Sequence, residues 1–209
     1  MARPEAVLLI GPTGSGKTPL GDRLERAGLW GGDCVHFDFG RRLRAAVRER
    51  PADLLSPDEL DFLGRVLRRG LLLEDRHFHI ARKLLSRFIE EHRSQLGRGS
   101  RLILNGLPRH LGQARDVDEL VDVTAVIVLD CPPAVSVGRI RTNAGGDRDD
   151  RPDDRLDAVR QRQHDFEHRT RPVVEHYRRR GARVVELDVG VRTSAADLAA
   201  ALEDRATGG

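Results

Sequence analysis

A glycine-rich loop, GPTGSGKT, directly follows the first apolar run of the chain, AVLLI at residues 6–10. The loop fits the pattern GxxxxGK(S/T), whose glycines let backbone N–H groups curl around phosphate oxygens while the next helix points its positive end at them. Because this arrangement requires a strand before the loop and a helix after it, the motif constrains the fold more than any other feature. The candidate phosphate-binding residues are Gly11, Gly14, Ser15, Gly16, Lys17 and Thr18.

Lys17 stands out because the chain otherwise carries its positive charge on arginine. Of 36 basic residues, only Lys17 and Lys83 are lysines. A slim, flexible ammonium can reach between two phosphates, whereas the planar guanidinium fork of arginine is too wide. The alternative is a glycine-rich turn with an ordinary surface lysine, but one of the few lysines stands at the motif position, which argues against it. The sequence therefore predicts that Lys17 binds phosphate.

Short apolar runs alternate along the chain with longer segments of helical periodicity. The runs are residues 6–10, 34–37, 101–104, 124–130 and 182–189. This alternation predicts βαβ units around a parallel sheet. Two segments show no strand pattern. Residues 41–96 are predicted to be helical, and residues 142–154, which are polar and rich in glycine, are predicted to form a loop.

Composition limits the cellular setting and the partners. The 209 residues suit one domain, the first apolar run is too short to span a membrane, and no signal-peptide cleavage pattern follows it. Cys34 and Cys131 form no CxxC pair and no metal-ligand set, which fits a reducing compartment. The net charge is only +3, aromatic residues make up 4%, and no nucleic-acid-binding motif is present. We therefore expect a cytoplasmic protein that binds neither nucleic acid nor membrane.

The segment after the predicted loop carries a stripe of apolar residues. Val159, Phe166, Val173 and Tyr177 recur at helical spacing and are predicted to face inward. Arg162 lies on the same stripe, between Val159 and Phe166. An unpaired charge there would be costly, so Arg162 needs an anionic partner. That partner could be a bound ligand or an acidic side chain in a structural salt bridge.

Three further segments resemble the adenylate kinases and related nucleoside monophosphate kinases. Residues 102–114, LILNGLPRHLGQA, resemble their LDGFPR…QA segment, and residues 40–47, GRRLRAAV, resemble their TGDMLRAAV segment. Residues 151–154, RPDD, followed by Arg162, resemble their RxDD…R arrangement. The order and spacing of the matched segments hold from residue 6 to residue 188, which is nearly the whole chain.

The resemblance implies an α/β P-loop NTPase three-layer fold, with a five-stranded parallel sheet, a helical acceptor-binding insertion and a short lid. The single domain would span residues 1–209. Its core would comprise 1–38, 97–141 and 155–209, with the insertion at about 39–96 and the lid at about 142–154. The resemblance also implies Mg²⁺-dependent transfer of the γ-phosphoryl of ATP to AMP or another nucleoside monophosphate. We expect the protein to act as a monomer.

The resemblance assigns roles to individual residues. Those expected around the transferring phosphoryl are Lys17, Arg109, Arg151 and Arg162, with Asp153 and Asp154 of the lid orienting the lid arginines. Those expected to hold the acceptor are Phe39, Gly40, Arg44, Arg109 and Gln113, and Arg139 is expected against the donor base. As in other P-loop enzymes, the hydroxyl of Thr18 would bind Mg²⁺ directly, and Asn105 would contact the ion through a water molecule. Because guanidinium forks match phosphate oxygens, Arg44 and Arg109 favour an acceptor that already carries a phosphate.

Four positions depart from the family pattern. Asn105 stands where the family has an aspartate, Phe39 replaces a threonine near the acceptor base, Arg41 replaces an aspartate, and Asn143 falls where a further lid arginine is usual. Phe39 and Arg41 leave open a small-molecule or specialised-metabolite kinase on the same scaffold. Asn105 leaves open a nucleotide-binding regulatory protein with little turnover.

Overall fold

Five strands form one parallel sheet in a computed structural model of the protein, which describes residues 3–97, 99–147 and 156–207. The strands are β1 (Glu5–Ile10), β2 (Cys34–Asp38), β3 (Arg101–Asn105), β4 (Asp122–Asp130) and β5 (Arg183–Asp188). Their order across the sheet is β2-β3-β1-β4-β5, and every neighbouring pair is parallel. Each strand falls on one of the apolar runs, so the predicted parallel sheet is confirmed.

Helices fill the connections between the strands. They are α1 (Lys17–Ala27), α2 (Phe39–Glu49), α3 (Pro57–Arg69), α4 (Phe78–Glu91), α5 (Leu111–Asp118), α6 (Pro133–Arg141), α7 (Leu156–Asp165), α8 (Arg171–Arg179) and α9 (Ala195–Thr207). A 3₁₀ turn (Asp75–His77) precedes α4, and a π-helical segment (Phe166–Thr170) joins α7 to α8. Helices α2, α3 and α4 lie between β2 and β3, so the segment at 41–96 is largely helical, as predicted.

Local signals set both ends of α3. The Ser56 hydroxyl accepts the backbone N–H of Glu59 at 3.2 Å, and the Glu59 carboxylate accepts the backbone N–H of Ser56 at 2.7 Å, which is a capping box. Pro57 occupies the first helical turn, where a missing N–H is harmless. Gly70 ends the helix with a φ of 63°, in the left-handed region. The chain then continues into residues 71–77, which we call the strap and which reach the candidate site described below.

Alternate residues of each strand pack into two separate apolar clusters. From β1, Ala6, Leu8 and Ile10 join one cluster with residues of α2, α4 and α8, whereas Val7 and Leu9 join the other with residues of α1 and α9. Because successive side chains point to opposite faces of a strand, helices cover both faces of the sheet. The result is the expected three-layer α/β fold.

The apolar stripe after the predicted loop packs inward, as its spacing predicts. Val159, Phe166, Val173 and Tyr177 are all buried. Arg162 is half-buried on the same helical stretch. The prediction that these apolar residues face the core is therefore confirmed.

Both cysteine thiols are enclosed by the core. Cys34 opens β2 and Cys131 follows β4, and both side chains are buried. Burial raises the pKa of the Cys34 thiol to about 11 and also raises the pKa of the Cys131 thiol. The two residues therefore behave as small apolar side chains at strand ends.

No helix in the described parts of the chain is both long and apolar enough to cross a membrane. The lid expected at 142–154 is described only as far as residue 147. The boundaries expected for the core, the insertion and the lid stay predictions.

Candidate phosphate-binding and acceptor site

A cavity opens where the carboxyl ends of β1, β2 and β3 meet the glycine-rich loop. The central strand β1 has β3 on one side and β4 on the other, and open parallel sheets bind ligands at such switch points. The expected site residues that line the cavity are Gly11, Gly14, Gly16, Lys17, Thr18, Phe39, Gly40, Arg44, Asn105, Arg109, Gln113 and Arg162. The fold thus brings together residues that lie far apart in the sequence.

Glycine is required at two points of the loop between β1 and α1. Gly16 immediately precedes α1 and has a φ of 97°, a backbone conformation that other residues adopt only with strain. A Cβ at Gly11 would lie 2.7 Å from Ser15 Oγ and 2.9 Å from the Leu129 carbonyl oxygen. The loop is therefore packed closely against β4, and its N–H groups offer donors to a phosphate together with the start of α1.

Lys17 lies across the loop. Its Nζ donates to the carbonyl oxygens of Gly11 at 2.6 Å and Pro12 at 2.7 Å, and it lies 3.4 Å from Ser15 Oγ. Backbone oxygens thus hold the ammonium within the segment whose N–H groups would surround the phosphates. The contact of Lys17 with phosphate stays a prediction.

Thr18 belongs to a group of three polar side chains at the start of α1 and the ends of β2 and β3. Its Oγ1 donates to Asp38 Oδ2 at 2.5 Å, and Asn105 Nδ2 donates to the same carboxylate oxygen at 2.8 Å and to Thr18 Oγ1 at 3.1 Å. The other Asp38 oxygen accepts the backbone N–H of Arg41 at 2.8 Å and so caps α2. Burial alone would raise the pKa of Asp38, but the hydrogen bonds from Thr18 and the Arg41 backbone outweigh burial and lower it. Asp38 is therefore an ionised carboxylate at neutral pH, although it is only 6% exposed.

The sequence patterns did not single out Asp38. It ends an apolar strand directly before Phe39, and its register partner in the sheet is Asn105. One signal could have revealed it: the family pattern has an aspartate at position 105, at the end of β3, where this chain has asparagine, and Asp38 ends β2 instead. Hydroxyl and carboxylate oxygens are ligands that Mg²⁺ prefers, so Thr18 and Asp38 fit that ion. Asn105 turns its NH₂ group toward both, and its expected contact with a metal-bound water stays a prediction.

Arg44 and Arg109 lie over two neighbouring glycines. A Cβ on Gly40 would lie 3.3 Å from Arg44 Nη1. A Cβ on Gly106 would lie 3.6 Å from Arg109 Nη2 and 3.9 Å from the Gly40 backbone nitrogen. Arg109 Nε also donates to the Gly106 carbonyl oxygen at 3.0 Å. Both arginines line the cavity, and we call them the clamp because two guanidinium forks can share one phosphate.

The resemblance places Gln113 and Phe39 against the acceptor, but the side chains of both residues mainly contact other parts of the protein. Gln113 is 1% exposed, its Oε1 accepts the backbone N–H of Arg109 at 2.9 Å, and its Nε2 donates to the Leu73 carbonyl oxygen of the strap at 2.8 Å. Phe39 is 3% exposed and stacks on Phe37 with a ring-centroid distance of 6.3 Å. Little of either side chain faces the cavity, and their contact with an acceptor base stays a prediction.

The strap and Arg109 are also tied to the π-helical segment. Glu74 of the strap accepts two hydrogen bonds from the Arg169 guanidinium, at 3.0 and 2.8 Å. These bonds hold the pKa of Glu74 below its usual range. Thr170 Oγ1 donates to the Arg109 carbonyl oxygen at 2.8 Å. The segment after α7 therefore positions both the strap and one arginine of the clamp.

Arg139 is bonded to the backbone of two loops. Its Nε donates to the Gly14 carbonyl oxygen at 3.0 Å, and its Nη1 donates to the carbonyl oxygens of Gly190, Val191 and Thr193 at 2.9, 3.2 and 2.7 Å. The residue is 3% exposed. It ties the glycine-rich loop to the connection between β5 and α9. Its expected contact with the donor base stays a prediction.

Arg41, which replaces an acidic residue of the family pattern, pairs with α1. Its Nη2 donates to the two carboxylate oxygens of Asp22 at 3.1 and 2.8 Å, and Asp22 also lies 2.9 Å from His36 Nδ1. Burial alone would raise the pKa of Asp22, but hydrogen bonds from His36 and Arg41 hold it well below its usual range. In this structure Arg41 therefore links α1 to α2.

Arg162 lines the same cavity as the clamp and lies beside Asp165 and Phe166 in its wall. Arg151, Asp153 and Asp154, which the resemblance assigns to the lid, fall outside the described residues. Lys17, the clamp and Arg162 thus contribute cations to one cavity from three parts of the fold.

Comparisons with known proteins identify a matching family model and related chains. A family model described as AAA domain matches residues 7–161. An adenylate kinase from Xanthomonas euvesicatoria pv. vesicatoria (strain 85-10) is 32% identical over 182 residues, which cover 84% of this chain and 86% of the relative. Adenylate kinases from Synechococcus sp. (strain CC9311) and Thermus thermophilus are 30% and 28% identical. These two matches cover 85% of this chain and 86% and 85% of the relatives.

Proposed function

The chain belongs to the adenylate kinase family of P-loop kinases, and from this premise we propose that it transfers the γ-phosphoryl of ATP to a nucleoside monophosphate. The observation that carries the proposal is the shared cavity, in which the glycine-rich loop and the clamp lie within reach of one ligand pair. A loop alone would support ATP binding, whereas a second phosphate site across the same cavity supports transfer between two phosphates. The acceptor we propose is AMP or another nucleoside monophosphate.

At the donor end, the chain supplies donors and positive charge for the triphosphate. Backbone N–H groups of the loop and the start of α1 would bind phosphate oxygens, and Lys17 would exchange its carbonyl partners for phosphate. Mg²⁺, when bound, would neutralise phosphate charge, and Thr18 and Asp38 are the residues whose oxygens would hold it. The donor would thereby be fixed with its γ-phosphoryl directed into the cavity.

At the acceptor end, Arg44 and Arg109 would hold the monophosphate, so that one of its oxygens faces the donor. A phosphate oxygen is already deprotonated at neutral pH, so the acceptor needs positioning rather than a base. Phosphoryl transfer gains mainly from positioning and from cations around the moving charge. Arg162 lines the cavity and would supply such a cation. The buried state of Gln113 and Phe39 supports a base selectivity looser than that of a typical adenylate kinase.

The test is transfer of label from γ-³²P-ATP to AMP, GMP, CMP and UMP, with products separated by thin-layer chromatography. Adenosine is the matched control because it keeps the base and the sugar of AMP and lacks only the phosphate. We expect label on at least one monophosphate and none on adenosine. Label on none of the monophosphates would overturn the proposal. If ATP bound under the same conditions, that result would favour the nucleotide-binding regulatory protein.

A second candidate is a small-molecule kinase whose acceptor has a phosphate but no base. The contacts of Gln113 favour it, because both atoms of its amide that could read a base already bond to backbone groups. Ribose 5-phosphate, which keeps the sugar phosphate of AMP without the base, distinguishes the two candidates in the same assay. Transfer to ribose 5-phosphate in preference to every monophosphate would favour the second candidate.

A further inference from the structure

We propose that Asp38 supplies the carboxylate facing the magnesium ion of bound MgATP, and that Asn105 positions this carboxylate rather than serving the ion itself. The charge that the family pattern places at the end of β3 would thus stand on β2 in this chain. The inference rests on the proposed binding of ATP at the glycine-rich loop. It does not depend on the identity of the acceptor.

The register of the sheet makes such an exchange possible. Asp38 and Asn105 are Cα partners at the carboxyl ends of β2 and β3, so their side chains start one strand spacing apart. Both side chains reach the Thr18 hydroxyl, which the motif places on the metal. A carboxylate on either strand can therefore face the same ion.

The Asp38 carboxylate is held in a fixed orientation at the edge of the cavity. Its two oxygens are held by a hydroxyl, an amide and a backbone N–H, all of which are neutral. Of the described residues, none places a lysine, arginine or histidine nitrogen within ion-pair distance of Asp38. Burying a carboxylate is costly, and a cation at the adjoining phosphate site would offset part of that cost.

The amide at residue 105 explains how the charge can stand on β2. Asn105 Nδ2 donates to Asp38 Oδ2 at 2.8 Å. An aspartate at 105 would bring two carboxylates to hydrogen-bond distance, and their repulsion would oppose the arrangement when the metal is absent. The departure at 105 and the aspartate at 38 are therefore one coupled exchange.

The experiment measures how much Mg²⁺ tightens ATP binding, by titration calorimetry with Mg²⁺ and with EDTA, without any acceptor. The variants are Asp38→Asn and the double exchange of Asp38→Asn with Asn105→Asp. Asparagine keeps the cap on α2, because its oxygen can still accept the Arg41 N–H. Asp22→Asn is the matched control, since Asp22 is a partly buried carboxylate near the same strand end that bonds to His36 and Arg41 instead.

We expect Asp38→Asn to reduce the factor by which Mg²⁺ tightens ATP binding by roughly 10- to 100-fold. This is the usual loss when a residue in the outer shell of a metal site is replaced. The double exchange should recover most of the tightening, and Asp22→Asn should keep it. A folded Asp38→Asn protein with wild-type tightening would overturn the proposal, as would a folded double exchange that stays as weak as Asp38→Asn.

If neither protein folds, Asn105→Asp alone decides the question. It keeps Asp38 and adds a second carboxylate beside it, so the proposal expects tighter Mg²⁺ coupling together with lower stability in EDTA. Unchanged coupling and unchanged stability would overturn it. Because no acceptor is present, a failure here leaves the transfer proposal standing. Intact coupling without transfer would count against the transfer proposal alone.

Discussion

The donor end and the acceptor end of the cavity are built from different kinds of contact. At the donor end, the glycine-rich loop holds Lys17 through carbonyl oxygens only five and six residues away. At the acceptor end, Gln113 joins Arg109 to the strap, and Thr170 reaches Arg109 across 61 residues of sequence. The contacts of Lys17 within the phosphate loop are therefore local in sequence, whereas the acceptor end exists only when distant segments pack together. Phosphate binding by the loop can be predicted from one motif, but acceptor choice cannot.

The difference predicts how each end responds to substitution. A change at Lys17 should alter chemistry and leave packing largely intact, because its ammonium contacts backbone oxygens of its own loop. A change at the acceptor end should alter geometry and stability together. Two parts of the donor end do depend on distant segments: Arg139, which joins Gly14 to residues 190–193, and the group formed by Thr18, Asp38 and Asn105.

Lys17→Arg should have the largest effect, because it keeps the charge and places a wide guanidinium where a slim ammonium is needed. We expect kcat/KM to fall by at least ~10³-fold, the scale at which a cation beside the transferring phosphoryl acts. A coupled assay of ADP formation measures it. Lys83→Arg is the matched control, since Lys83 is the other lysine and pairs with Glu59 at 2.8 Å on the surface. Equal activity of both variants would remove Lys17 from the mechanism.

Arg139→Met should have the next largest effect, and the effect should be a loss of stability. Four carbonyl oxygens would lose a charged donor, so we expect the free energy of unfolding to fall by about 3 kcal/mol. Urea unfolding followed by circular dichroism measures the change. Arg141→Met in the same helix is exposed and should be nearly neutral. If both variants were as stable as the wild type, the bonds of Arg139 to distant segments would not contribute to the stability of the donor end.

Arg109→Ala should lower transfer to every acceptor by a similar factor. The clamp binds the phosphate that all nucleoside monophosphates share, and the loss of one such donor costs on the order of 10²-fold. Initial rates with AMP, GMP, CMP and UMP measure the effect, with Arg115→Ala, an exposed change in α5, as the control. A loss confined to one base would show that Arg109 reads the base.

Phe39→Leu should have the smallest effect on acceptor choice. Phe39 is almost fully buried and stacks on Phe37, so we expect the preference among the four monophosphates to stay nearly unchanged. The free energy of unfolding should fall by about 1 kcal/mol, as for other core changes of similar volume. Phe62→Leu, an aromatic change in α3, controls for packing loss. A clear shift in preference with Phe39→Leu alone would place the ring against the acceptor base.

Much of the fold could be predicted because its signals are local. Each strand is a short apolar run, and the phosphate loop is fixed by glycines at set spacing. The apolar stripe of α7 and α8 was also visible from spacing alone. The π-helical segment was not predicted, since no residue in it differs from an ordinary helical pattern.

The site was harder to predict wherever a side chain acts through a partner distant in sequence. Asn105 donates a hydrogen bond to Asp38 across 67 residues of sequence, and the strand patterns do not show that these two residues are neighbours in the sheet. Arg139 is one arginine among many, and its burial depends on loops that fold back from beyond β5. Gln113 sits in its expected motif, yet its bonds to the backbone follow from the position of the strap.

The burial of Cys34 and Cys131 makes the protein suitable for site-specific fluorescent labelling. Their raised pKa values leave almost no thiolate at neutral pH, and the enclosed sulfur atoms are shielded from dyes. New cysteines at Leu71 in the strap and Val191 beyond β5, both exposed, can therefore be labelled without removing the native pair. Single-molecule energy transfer between the two dyes would then report how the distance between the strap and the loop beyond β5 changes when each ligand binds.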